Sequence, residues 1–384
     1  MNIKSLLLGS AAALVAVSGA RAADAVVVAE PEPAEYVRIC DVYGAGYFYI
    51  PGTETCLRIG GYVRYDIGLG DVRSYDSART SDVRTGEDQG TWRNNTRFTF
   101  KTWSGQQTEL GALTTYTETH VNFGNSANSR DSPQNYDFNS GLALASAWVE
   151  LGGLRVGKDG SAFDTFVSYA GNVLDSMLVR SAGFDTNVAQ YYFDAGNGIS
   201  TVISLEQGSG SAGTIDSYIP HVVAGLKYTQ GWGSITGVAA YDSNYEALAG
   251  KIRVDVAVTN QLSLFGLFGY GSNGSLNEDS NGAIANHVRG SYKIWNGQWA
   301  FWAGATYEFD EKTSFNFQVS SDQLKNSGLA ANVVYMVVPG FTVTAEVDYD
   351  HYGNFGVGPA DPTTVKGTSK PNSVGGILRF QRSF

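Results

Sequence analysis

The last ten residues, Gly375–Phe384 (GGILRFQRSF), decide the fold of this chain. Leu378, Phe380 and Phe384 are separated by even steps, whereas Arg379 lies on the opposite face. A period of two indicates a β-strand with one apolar and one polar face. We therefore predict a terminal strand that closes a sheet and ends on the aromatic Phe384.

The same alternation recurs along the chain in stretches of about ten residues. In Phe341–Asp350 (FTVTAEVDYD) every second residue is apolar or aromatic, and Leu57–Leu69 and Ile252–Val258 follow the same pattern. Strands of a soluble β-sandwich also alternate, but they commonly have five or six residues. The greater length favours strands that cross a membrane.

The composition agrees with a β-structure that crosses a membrane without an apolar helix. The 47 glycines, 22 tyrosines and 19 phenylalanines favour strands and tight turns. The mean hydropathy is only −0.15. Such a chain can still enter a bilayer as a closed barrel, because lipid-facing and lumen-facing side chains alternate along each strand.

The N-terminus predicts export. Lys4 precedes the apolar stretch Leu6–Val17, and Ala20-Arg21-Ala22 fits a signal peptidase site. The apolar stretch is too short for a membrane helix, which needs about 20 residues. We predict a signal peptide over residues 1–22; a buried N-terminal helix is the alternative.

Seven short turns and eight longer polar loops divide the rest of the chain. The predicted turns are Ser104-Gly105, Gly152-Gly153, Gly196–Gly198, Gly231–Gly233, Thr259-Asn260, Asp310-Glu311 and Pro339-Gly340. The predicted loops are 71–92, 123–140, 159–187, 208–219, 243–246, 272–297, 323–327 and 353–373. Outer-membrane barrels have an even number of strands, short periplasmic turns and long outer loops. We therefore predict an all-β, 16-stranded antiparallel transmembrane β-barrel over residues 56–384, with a water-filled lumen.

The third of these loops, 159–187, is not uniformly polar. It contains Phe163 and Phe166, followed by aliphatic residues at helical spacing between Val173 and Leu178. A solvated outer loop would leave these side chains exposed, so we predict that the loop folds inward against the wall. Its acidic residues are Asp159, Asp164, Asp175 and Asp185. We expect them to bring negative charge to a constriction.

A basic strip is predicted on the opposite wall. Six basic residues of the first, second and last strands point into the lumen by their position in the alternation: Arg58, Arg64, Arg93, Arg97, Lys101 and Arg379. These strands become neighbours when the barrel closes. Fixed charge across a narrow passage focuses the field and sorts ions. Two alternatives remain: the basic residues only solvate a wide lumen, or they pair with nearby acids such as Asp66.

The two cysteines, Cys40 and Cys56, are close in sequence. In an oxidising compartment such a pair predicts a disulfide. We therefore predict an N-terminal periplasmic segment over residues 23–55 that ends in a disulfide loop. The four histidines are scattered, so no metal site is expected.

The outward faces of the third and fourth strands predict a subunit contact. Glu118, His120 and Glu150 are costly in lipid and must point inward. The outward residues are then Thr115, Thr117, Thr119, Val121 and Phe123 on one strand and Ala143, Ala145, Ala147, Val149 and Leu151 on the next. Small side chains let neighbouring walls approach closely. We expect Leu57–Leu151 to contribute the interface between barrels.

Several stretches resemble the general porins of alphaproteobacteria, the Brucella type. They are Tyr36–Cys40 (YVRIC), Gly44–Asp66, Gly152–Gly157 (GGLRVG), Gly231–Ser243, Val338–Thr344 and Arg379–Phe384 (RFQRSF). The resemblance covers essentially the whole chain and is weakest in the loops. It implies a homotrimer of barrels, each with its third loop folded inward, that admits small hydrophilic solutes and ions by passive diffusion. We expect contact with outer-membrane lipid and lipopolysaccharide.

Other functions have less support in the sequence. It contains no Gly-x-Ser-x-Gly, His-Glu-x-x-His or phosphate-binding Gly-Lys-Ser/Thr motif. The net charge of −11 argues against a nucleic-acid partner. We expect neither enzyme activity nor a cofactor. A substrate-specific channel for a sugar or an anion is the main alternative, with Trp148 and Trp302 as the tryptophans that point inward. A barrel adhesin or barrel enzyme is the third.

Overall fold

The computed structural model describes residues 38–71, 74, 76–125, 138–139, 141–174, 178–208, 214–273, 290–353 and 372–384. The predicted signal peptide, the first part of the predicted periplasmic segment and Asp175 lie outside these residues. Within the described residues, no helix has both the length and the apolar character needed to cross a membrane.

Sixteen long antiparallel strands form a closed sheet, which confirms the predicted fold class. They are β1 Cys56–Gly70, β2 Asp88–Thr108, β3 Gly111–Gly124, β4 Ala143–Leu151, β5 Leu154–Gly160, β6 Asp185–Gly196, β7 Ile199–Gln207, β8 His221–Gln230, β9 Gly233–Asp242, β10 Ala247–Ala257, β11 Leu262–Gly271, β12 Trp299–Glu308, β13 Thr313–Asp322, β14 Ser327–Val338, β15 Phe341–His351 and β16 Asn372–Ser383. Each strand pairs with its neighbour in sequence, so the connections are hairpins.

The last strand closes the barrel on the first. β16 pairs with β1 from Gly375 opposite Gly70 to Ser383 opposite Tyr62. Beyond this register, the Phe384 and Gly61 backbones exchange two hydrogen bonds of 3.0 and 3.1 Å. The terminal alternation therefore predicted the closing strand correctly.

Six of the seven predicted turns connect the strands as expected, and the turn at Ser104-Gly105 is wrong. β2 continues to Thr108, and the chain turns at Glu109-Leu110. Gly105 lies inside the strand, and the ring of Tyr43 occupies the space that a Cβ atom at this position would need. A glycine within a strand can mark such a close approach rather than a turn.

The N-terminal segment is tied to β1. Cys40 and Cys56 form a disulfide, as predicted. The two-residue strand Phe48–Tyr49 pairs with the start of β1.

A register shift in β4 changes its predicted outer face. Thr117 lies opposite Ala147, but Thr119 lies opposite Leu144, with the irregularity between the two pairs. Ala143 is opposite the lumen-facing His120. The outward placement of Ala143 is therefore wrong, because the extra residue of a β-bulge reverses the alternation beyond it. The outward residues of β4 are Leu144, Ala147, Val149 and Leu151.

Candidate constriction site

The connection between β5 and β6 folds into the lumen, as the apolar residues of loop 159–187 predicted. We call the described residues of this connection, 161–174 and 178–184, the inserted segment. It starts with a one-turn helix, α1 (Ala162–Thr165), which Ser161 caps. Phe163, Val167 and Val179 are buried in one cluster with the wall residues Val202 and Trp302. Apolar contacts with the inner wall thus hold the segment inside the barrel.

The start of the inserted segment is held by a buried carboxylate, Glu206 of β7. Its two oxygens accept hydrogen bonds from Ser161 Oγ at 2.7 Å and from the Ala162 backbone N–H at 2.9 Å. Tyr292 donates its hydroxyl to the same carboxylate at 2.9 Å. Burial and the Glu206 charge raise the pKa of Tyr292, so the phenol remains a donor.

A buried ion pair fixes the two ends of the inserted segment to β10. Lys251 Nζ lies 2.6 Å from Asp164 Oδ1, and the Lys251 side chain is fully buried. Asp164 Oδ2 accepts hydrogen bonds from the backbone N–H groups of Gly183 at 2.9 Å and Phe184 at 3.1 Å. One carboxylate therefore joins α1, the end of the segment and the wall.

The far part of the inserted segment is bound to β12 and β15. The Leu174 N–H donates to Glu346 at 2.6 Å, and the Leu178 N–H donates to Asp350 at 3.2 Å. Trp302 Nε1 donates to the Val179 carbonyl at 2.8 Å. The segment is thus anchored to strands between β7 and β15. The inner face of β16 and β1–β5 remains for a passage.

A second part of the chain also folds inward. Gly290–Gln298, between β11 and β12, carries the buried Tyr292 and Trp295. The Tyr292 ring lies 5.4 Å from that of Phe163, and the Trp295 ring lies 5.7 Å from that of Trp302. The prediction that 272–297 is a polar outer loop is therefore wrong for its described end. The run of Tyr292, Ile294 and Trp295 was the signal that could have revealed it.

The six basic residues predicted for the opposite wall share its inner face. Arg64 lies opposite Arg97 on β2 and opposite Gln381 on β16. The other four lie at even steps or in direct register with these positions: Arg58, Arg93, Lys101 and Arg379. The six residues therefore share one face of three neighbouring strands, and their role in the passage stays a prediction.

Nearby acids pair with part of this basic strip. Asp66 lies 2.6 Å from Arg379 and 3.4 Å from Arg64, and Glu118 lies 3.1 Å from Lys101. Arg97 binds the Asn122 amide oxygen at 2.7 Å. No carboxylate of the described residues lies within 4.0 Å of Arg97. The strip therefore keeps positive charge around Arg97.

The described acids of the predicted constriction loop pair with other cations. Asp164 is bound to Lys251. Asp159 lies 3.0 Å from Arg155. Asp185 lies 3.3 Å from Lys158, which sits opposite the outward residue Ala147. The expectation that these three acids face the basic strip is therefore not met, because local partners and the outward register of Asp185 hold them elsewhere.

A closed 16-stranded antiparallel barrel, with a polar inner face and a segment folded into its lumen, defines an outer-membrane porin. Comparison with known proteins agrees with this class. The family profile described as "Porin subfamily" matches residues 24–377. The chain belongs to this porin family.

Relatives and solved structures extend the comparison. The chain is 47% identical to Porin Omp2b of Brucella canis over 392 residues, which covers 100% of both chains. The identity to Porin Omp2b of Brucella abortus is also 47% over the same length. The outer membrane channel DcaP of Acinetobacter baumannii has a TM-score of 0.57 at 14% identity, covering 88% of this chain and 99% of that one. A mutant of the Rhodopseudomonas blastica porin has a TM-score of 0.53 at 12% identity, covering 85% and 100%. These two structures share the fold.

Proposed function

We propose that this porin is a homotrimeric general diffusion channel for small hydrophilic solutes and ions, without enzyme activity. Its passage runs between the inserted segment and the basic strip. The observation that carries this proposal is the anchoring of the inserted segment along β7–β15, whereas the charged inner face of β16 and β1–β5 holds none of these anchors. Solutes cross by diffusion through water, so no cofactor is required.

Single-channel recording in planar bilayers tests the proposal. We expect a conductance that is linear with voltage and rises with salt concentration. Saturable block by one solute, with no passage of others, would instead indicate a substrate-specific channel. Folded protein without conductance would favour an adhesin or an enzyme.

The basic strip should set the ion preference of the passage. Replacement of Arg64 and Arg97 by serine (R64S/R97S) should shift the reversal potential toward cation selectivity. The shift should be larger at low salt, because fixed charges are screened over only about 10 Å at 0.1 M. The exposed Arg84 provides the matched control R84S. A shift toward anions, or none at low salt, would contradict the proposed role of the strip.

The outer faces of β2–β6 support the proposed trimer contact. Hydroxyls of Thr102 and Thr117 lie 2.5 Å apart on this face, and those of Ser104 and Thr115 lie 2.6 Å apart. The Lys158–Asp185 pair lies on the outer face of the adjacent strands. Charged groups on a wall are costly against hydrocarbon. These polar groups favour contact with another subunit over contact with acyl chains.

Single cysteines should distinguish a wall that contacts another subunit from a wall that contacts lipid. T117C and A147C should form cross-links between subunits in native membranes, whereas F301C should label with a lipid-soluble probe. Both native cysteines are in the disulfide, so the background need not be changed. Efficient cross-linking of F301C, together with lipid labelling of T117C, would place the interface on the other side of the barrel.

A further inference from the structure

A row of aromatic rings crosses the inner wall on the side that the inserted segment leaves uncovered. Trp103 of β2, Tyr116 of β3 and Trp148 of β4 lie directly opposite one another across the sheet. Their ring centroids are 5.3 and 5.7 Å apart. All three rings are half-buried, so part of each meets the lumen. We call these three residues the aromatic row.

An arginine lies against each end of the aromatic row. The guanidinium carbon of Arg58 is 4.6 Å from the Trp103 ring centre, and that of Arg155 is 4.0 Å from the Trp148 ring centre. Arg155 also lies 4.9 Å from the ring of Tyr192 on β6. The row with its arginines therefore spans β1–β6, from the basic strip to the start of the inserted segment.

Carboxylates accompany the cations along the row. Glu118 accepts from the Tyr116 hydroxyl at 2.5 Å and pairs with Lys101 at 3.1 Å. Arg155 pairs with Glu150 at 2.8 Å and with Asp159 at 3.0 Å. Three basic side chains thus stand beside three acidic ones. Because these charges are equal in number, an ion gains little net attraction from them. A neutral hydroxyl group can form hydrogen bonds with both the donors and the acceptors.

We propose that the aromatic row is a weak binding site for neutral saccharides within the passage. An aromatic face attracts the polarised C–H groups on one side of a sugar ring, because it carries negative charge density. A few placed polar groups beside an apolar surface fix the orientation of a small ligand. The two ring-to-ring steps match the scale of successive sugar units, so the site suits short oligosaccharides. This inference rests on the proposed diffusion function and adds a preferred solute class.

Current block by maltotriose tests this site in trimers of the full-length protein. We expect saturable block in the wild type. The variant Y116L/W148L should weaken the block roughly tenfold, since two stacking surfaces are lost, while the channel still conducts ions without sugar. The matched control is W92L, which changes an exposed tryptophan near the other end of β2. Poly(ethylene glycol) of the same hydrodynamic size as maltotriose is the control for current block by obstruction alone.

The outcomes separate this site from the diffusion function. A conducting wild-type channel without saturable sugar block would overturn the saccharide site and leave the diffusion channel intact. Absence of conductance in the wild type would overturn the diffusion function itself. Equal block by poly(ethylene glycol) would mean that maltotriose only obstructs the passage, and it would overturn the saccharide site. A Y116L/W148L variant that changes ion selectivity but not sugar block would mean that the row only positions its arginines.

Discussion

Removal of Phe166–Ala182 should raise the single-channel conductance by roughly twofold or more, because the lumen of a wide barrel carries current in proportion to its open cross-section. The deleted residues form most of the inserted segment. Its ends need only a short Gly-Ser connection, since Asp164 already binds the backbone N–H groups of both Gly183 and Phe184. The conductance of the purified variant in planar bilayers is the measurement.

Two further readouts make the deletion decisive. Before heating, the variant must migrate in a gel like the unheated wild type, since loss of the native state would also change the current. Liposome swelling with sugars of increasing size should show that larger solutes enter. If the conductance of the folded variant stays at the wild-type value, the narrowest part of the passage lies elsewhere.

The strands and the lumen-facing charges were predictable because they depend on a local pattern. Alternation within ten residues assigns a face to each side chain, and so Arg64, Arg97 and Arg379 were placed on one wall. Strand closure followed from the same rule at the chain end. Even the inward direction of the inserted segment followed from residues such as Phe163, which need burial.

The remaining features depend on residues that are far apart in the sequence. The local sequence predicts a turn at Gly105, because the contact that requires a glycine there comes from the distant Tyr43. The irregularity in β4 and the inward fold of Gly290–Gln298 likewise depend on packing across the barrel. The two-residue alternation within one strand cannot predict contacts between residues that are far apart in the sequence.

The partner of Asp164 shows this limit most clearly. The sequence predicts that Asp164 contributes negative charge to the passage. In the structure Asp164 is buried against Lys251, which is 87 residues later in the chain. Its energetic role is therefore to dock the inserted segment. Substitutions at Asp164 and Lys251 therefore test how the inserted segment is held, rather than how the passage selects ions.

Loss of one member of this pair should release the inserted segment without unfolding the barrel. Lys251→Met leaves the Asp164 carboxylate buried without its cation, which costs about 3–5 kcal/mol. The cost falls on the docked segment, because the strand pairing around Lys251 uses backbone groups only. We expect a noisier current with a higher mean conductance. We also expect protease cleavage within the segment while the barrel stays folded.

A second substitution should reverse most of this effect. The variant K251M/D164N has no buried carboxylate at position 164. The asparagine amide oxygen can still accept hydrogen bonds from the Gly183 and Phe184 N–H groups. The current should become steady again and the segment resistant to protease. The control K227M removes a lysine of β8 that has no ion pair among the described residues, and it should leave the noise unchanged. A quiet, protease-resistant K251M channel would show that apolar packing and Glu206 hold the segment without the ion pair.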